Sequence, residues 1–105
     1  FIKAYKSKFG RAPSEFAVQG YDSGKVIIEA ISSLSGSIKD KDKLAEAIRT
    51  ISITGPRGPL TIDPKTNNVI QNIYIFEVVN GEQGPELKVL DTIEAVKAPG
   101  EGCNL

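Results

Sequence analysis

The stretch that most constrains this chain is residues 14–34, SEFAVQGYDSGKVIIEAISSL. Ala17, Gly20, Tyr21, Gly24, Ile27, Ile28 and Ile31 recur at steps of three and four, which stacks them along one side of an α-helix. Glu15, Lys25, Glu29, Ser32 and Ser33 fall mostly on the other side. The start of the helix is equally legible. Pro13 precedes Ser14, whose hydroxyl can accept a hydrogen bond from an orphan backbone N–H, and Glu15 puts negative charge at the positive end of the helix dipole. A glycine costs about 1 kcal/mol relative to alanine in a helix interior. Gly20 and Gly24 therefore have to be offset by packing, most simply through close approach of another element.

Around this helix the chain divides by period. Before it, FIKAYKSKFG sets Phe1, Ile2, Tyr5 and Phe9 at helical spacing and reaches Gly10, which suits a left-handed C-terminal stop. After it, SGSIKDKDK is a polar connection in which Asp40 or Asp42 can cap a further helix, whose stripe is Leu44, Ala47, Ile48 and Ile51. Helices are thus predicted over residues 1–9, 14–34 and 43–51. Then the period changes. Gly55-Pro-Arg-Gly58-Pro is a turn cluster, and Leu60-Thr-Ile62 alternates as a short strand does, over residues 59–63. Residues 69–79 are dense in Val, Ile, Tyr and Phe, and the run Ile73-Tyr-Ile-Phe76 is apolar on both faces, the pattern of a strand enclosed between layers. Asn80-Gly81 and Gly84-Pro85 bracket a hairpin loop before a returning strand over residues 86–93, and residues 95–105 read as an extended tail. The class is α/β.

Composition narrows the function. The 105 residues suit one small domain, and 40% hydrophobic with 25% charged residues is a globular balance. Thirteen Lys and Arg against thirteen Asp and Glu leave no electrostatic footprint for nucleic acid or anionic lipid. No apolar run approaches the ~20 residues that span a bilayer. With no histidine in the chain, neither a Ser–His–Asp nor a Cys–His constellation can be built. Cys103 stands alone, so it offers no intrachain disulfide. Asp40 and Asp42 lack the glycine and terminal Glu of a calcium loop, and no metal or cofactor is expected. Gly55-Pro-Arg-Gly58 has the GXXG spacing of a KH domain, but it leads into a strand rather than joining two helices, and a turn is the default. The chain has no Met and starts inside a helical pattern, which is expected of a piece of a longer protein with any leader upstream. For Tyr21-Asp22 the default is a packing face. The alternative is a ligand-facing role, because Phe16 and Gln19 lie in the first turns of the same helix and helix N-termini favour anionic groups.

Taken in order, these motifs resemble the last part of two-lobed solute-binding proteins that serve ABC importers of the branched-chain amino acid type. Ala4-Tyr5, Phe9-Gly10 and Pro13 precede a helix carrying Gly20-Tyr21-Asp22-Ser23, where the family has G-Y-D-A. Gly55, Gly58, Leu60, Ile62 and Asp63 follow the family's G-x-x-G-x-L-x-F/I-D pattern. Asp63-Pro-Lys-Thr-Asn-Asn departs from the usual D-x-x-G turn.

The resemblance implies a segment of two α/β lobes with mostly parallel sheets closing on a small ligand. Residues 1–63 would belong to the first lobe, residues 64–94 would make a hinge crossing toward the second, and residues 95–105 would form the tail. It also implies that Phe16 walls the ligand, with Gln19 and Tyr21 as neighbours. The function implied is extracytoplasmic, periplasmic capture of an amino acid or aromatic acid by hinge closure, with delivery to a membrane permease and no catalysis. A lone segment would bind weakly and expose apolar faces, so dimers or strand exchange are expected of it. The rival reading is an autonomous α+β interaction module with no small-molecule ligand.

Overall fold

In the computed structural model, residues 1–82 and 84–99 are described. Cys103 and most of the expected tail lie outside that range. Three helices come first: α1 (Ile2–Phe9), α2 (Glu15–Ser33) and α3 (Lys41–Arg49). Four strands follow: β1 (Ser52–Gly55), β2 (Gly58–Ile62), β3 (Val69–Gly81) and β4 (Gly84–Val96). They form one antiparallel sheet in the order β1-β2-β3-β4.

The helix ends follow local chemistry. Gly10 adopts φ 68° and returns its N–H to the Lys6 carbonyl, closing α1. Ser14, in extended conformation, caps α2 by accepting from the Ala17 N–H at 3.4 Å. Of the two candidate caps for α3, Asp40 takes the role, accepting the N–H groups of Asp42 and Lys43, both at 3.1 Å. The helix consequently begins at Lys41, two residues earlier than the periodicity predicts, and it ends at Arg49.

The sheet departs from expectation in three ways. Residues 52–55 form a strand that the sequence pattern does not announce, because only Ile53 among them faces inward. Its partner across the register is Leu60, and these two with Ala30 of α2 are the buried apolar core. Secondly, the four strands of this segment pair antiparallel, although mostly parallel sheets are expected of whole lobes. Thirdly, β3 is not enclosed. Ile73, Ile75, Phe76 and Val78 all remain substantially exposed, because the described elements only border an open pocket beside Tyr74, Phe76 and Val89 and do not pack over the β3–β4 hairpin.

That hairpin is longer than predicted and carries two bulges, between Gln71 and Ile73 and between Ile75 and Phe76. At the first, Ala95 adopts φ 51° and its N–H is taken by the Asn72 side chain at 3.0 Å, so Ala95 belongs to β4 and not to a tail. Gly20 and Gly24 likewise meet no close neighbour: a Cβ at either would have nothing within 4 Å. The compensation expected for these glycines is absent within the described residues, and their stripe lies open.

Candidate functional site

Phe16, Gln19 and Tyr21 are all exposed on α2, and Phe16, at 73%, is the most exposed large apolar residue among the described residues. At 3.6 residues per turn, positions 16 and 19 share a side of the helix, while position 21 is turned well away from both. The structure reflects this. Tyr21 packs its ring against Phe1 at 4.9 Å between centroids, tying α2 to the start of α1. Its free edge borders an open apolar pocket of ≈ 320 Å³ with Gly20, Gly24, Lys25 and Ile28, to which neither Phe16 nor Gln19 contributes. Phe16 and Gln19 instead stand at the capped start of the helix.

Asp22, one residue on, points the other way and is 2% exposed. A carboxylate removed from water to that degree needs a partner. Arg57 provides it: its Nε donates to Oδ2 at 2.7 Å across 35 positions of sequence. The second oxygen, Oδ1, is buried with no hydrogen-bond partner among the described residues. Arg57 is also held by its backbone, because its carbonyl accepts the Tyr74 hydroxyl at 2.6 Å. Nearby, Lys25 Nζ donates to the Thr54 carbonyl at 2.8 Å, which stitches α2 to β1 as well as to the turn.

The glycines of the turn now have a physical reason. A Cβ on Gly55 would drive into the Asp22 carboxylate, whose Cγ would lie 2.8 Å away. One on Gly58, which adopts φ 94°, would sit 2.6 Å from the Tyr74 hydroxyl. Gly20-Tyr21-Asp22 and Gly55-Pro-Arg-Gly58 are therefore two halves of one interlock. Sequence reading notes both motifs without joining them. The available signal was an aspartate within a small and apolar helix segment, which must find a cation if it is buried.

Asp63, 1% exposed, anchors the next turn. Lys97 Nζ forms an ion pair with its Oδ2 at 2.9 Å and the Lys65 N–H donates to Oδ1 at 3.0 Å. These bonds to the ionised form, that from Lys97 foremost, hold its carboxyl below the ordinary value of 3.8 despite an opposing push from burial. Asn67, at φ 56°, closes this turn with its N–H on the Asp63 carbonyl at 2.8 Å, a left-handed position that asparagine tolerates. No group of three or more metal-ligating side chains occurs among the described residues. None of the described helices is long and apolar enough to cross a membrane.

A capped helix with a bare aromatic at its start, locked to a sheet by a buried ion pair, is a scaffold for presenting a surface rather than a closed site. Residues 1–83 match the periplasmic binding protein family, and the chain belongs to it. It is 34% identical over 104 residues to the Leu/Ile/Val-binding protein homolog 6 of Brucella abortus, which covers 95% of this chain and 26% of the relative. A solute-binding protein of an ABC transporter from Rhodopseudomonas palustris BisB5, solved in complex with 3,4-dihydroxybenzoic acid, superposes with a TM-score of 0.88 at 38% identity, over 95% of this chain and 27% of that one. A further solute-binding protein from R. palustris, in complex with benzoate, gives 0.81 at 28% identity, over 99% of this chain and 28% of that one. The chain thus spans about a quarter of the length of the curated relatives it matches. The family binds solutes for transport and is not a family of enzymes.

Proposed function

We propose that this chain is part of the extracytoplasmic solute-binding component of an ABC importer, and that its α2 forms one wall of the ligand cleft between two lobes. The observation that carries the reading is Phe16, an aromatic ring left bare at the capped start of a helix in a chain of this family. Its place at a helix N-terminus, which favours anionic groups, supports a ligand-facing role. Phe16 would stack against the solute, Gln19 would supply a polar contact one turn on, and Tyr21 would border the adjoining face. Residues 1–63 would belong to the first lobe, and β3 would cross the hinge toward the second. Closure about that hinge would trap the solute for delivery to the permease.

An aromatic carboxylate is the solute to try first, with branched-chain amino acids second. A ring such as that of Phe16 offers an offset-stacked partner to a benzoate, and a helix N-terminus favours a carboxylate. The structures in complex with 3,4-dihydroxybenzoic acid and benzoate support this order, while the relative named as a Leu/Ile/Val-binding homolog supports the second class. In the full-length protein, Phe16→Ala should weaken binding of the preferred solute roughly tenfold, read by titration calorimetry. Unchanged affinity removes Phe16 from the cleft.

The same reading accounts for the bare faces of the hairpin and the Gly20–Gly24 stripe, which the remaining lobes would cover. In isolation the 105-residue chain would leave them open, and sedimentation velocity over a concentration series should show self-association.

A further inference from the structure

From α2 to the middle of β3 runs a continuous polar path through one residue of the β1–β2 turn. Asp22 of α2 holds the side chain of Arg57 at 2.7 Å, and Tyr74 of β3 holds its carbonyl at 2.6 Å. The two grips use different parts of the residue, the side chain and the backbone carbonyl. Both ends sit close to the turn's glycines: Asp22, buried, occupies the space a Cβ on Gly55 would need, and the Tyr74 hydroxyl the space a Cβ on Gly58 would need. The helices otherwise meet the sheet mainly where α2 lies on β1, so the hairpin beyond takes its bearing on α2 through β1, β2 and this turn.

We propose that Asp22, Arg57 and Tyr74 are positioning residues which fix the angle of the β3–β4 hairpin relative to α2 and so set how far the lobes close on a solute. The inference rests on the function proposed above, which puts the solute at the start of α2 and the hinge crossing on β3. Its physical content is bistability or its absence. A turn held at one point only can rock with either partner, whereas a turn gripped at two transmits the position of one to the other. Asp22 contributes through a single oxygen, Oδ1 being unpartnered, so the path has no redundant bond at that end. At the other end the Tyr74 hydroxyl is likewise one bond, and it can be removed without touching the ion pair.

The test uses the full-length protein with one spin label on each lobe, and 4-hydroxybenzoate and leucine as probes. Tyr74→Phe keeps the ring beside Phe76, at 6.1 Å, and deletes only the hydroxyl. It should broaden the interlobe distance distribution of the unliganded protein and weaken binding of whichever probe binds by roughly threefold or more, with the melting midpoint moved by only a few degrees. A lower melting midpoint with the distance distribution unchanged marks a purely structural hydroxyl and overturns the proposal, as does a variant identical to wild type in width and affinity. Phe16→Ala run alongside separates the two readings. If it leaves affinity unchanged, the cleft assignment fails, and the unliganded distance distribution still decides on the positioning role.

Discussion

The junction of α2 with the β1–β2 turn and the β3–β4 hairpin are built on opposite terms. At the junction the awkward groups are answered from within the chain, save Asp22 Oδ1: one oxygen of a buried carboxylate by Arg57, the Arg57 carbonyl by Tyr74, and two close approaches by Gly55 and Gly58. The hairpin has its backbone ladder but leaves its side chains bare, with Val78 70% and its cross-strand partner Leu87 65% exposed. Hydrogen bonding thus fixes the hairpin's shape, while burial gives it little. The difference separates what this segment stabilises by itself from what it presents to other surfaces.

The junction should therefore dominate the stability of the segment. Arg57→Ala strands a carboxylate that is 2% exposed, and removing one member of a buried pair generally costs about 3–5 kcal/mol. Arg57 itself keeps 30% of its side chain in solvent, so the lower end of that range, about 3 kcal/mol, is expected in urea denaturation. A loss below about 1 kcal/mol would mean that water reaches Asp22, and the contrast with the hairpin would collapse.

Legibility in the sequence follows the same division. Helix starts and stops were readable because Ser14, Asp40 and Gly10 act on backbone groups within a few residues of themselves. The turn at Gly55–Gly58 was readable as a turn, but its reason was not, since the partners Asp22 and Tyr74 lie on α2 and β3. β1 is not announced because one inward residue in four makes no periodicity, and the apolar stripe carries the helix reading up to Ile51, the residue just before it. For residues 73–76 the two-faced apolar pattern predicts a strand enclosed between layers, and the described residues leave Ile73, Ile75 and Phe76 exposed instead. Phe16 and Gln19, marked by their place in the first turns of α2 and by the family resemblance, share a side of the helix; Tyr21 is separated from them by helix geometry.

Asp63 is an intermediate case, a buried carboxylate whose partner, Lys97, is 55% exposed just past the end of β4. Because its folded pKa lies below the ordinary 3.8, ionised Asp63 stabilises the folded state at neutral pH. That contribution is present above the unfolded value and is lost as pH falls through the lower folded value. Asp63→Asn should accordingly be less stable than wild type at pH 7, and the gap should narrow once the pH drops below about 3.8. A gap independent of pH would assign the loss to turn geometry, through the Lys65 N–H, and not to the Lys97 contact.

The smallest effect belongs to the hairpin tip. Val78→Thr replaces a methyl by a hydroxyl at a position 70% open to solvent, on a strand whose β-branched shape threonine preserves. In the 105-residue chain the change in unfolding free energy should stay within about 0.5 kcal/mol, as for surface substitutions generally. In the full-length protein the same substitution should cost distinctly more if another lobe covers this face, since a hydroxyl buried without a partner costs about 1–3 kcal/mol. The pair of measurements therefore reads out the cover directly. Equal small losses in both proteins would leave the face bare in the assembled molecule, and the exposed hairpin would then need a different explanation from lobe packing.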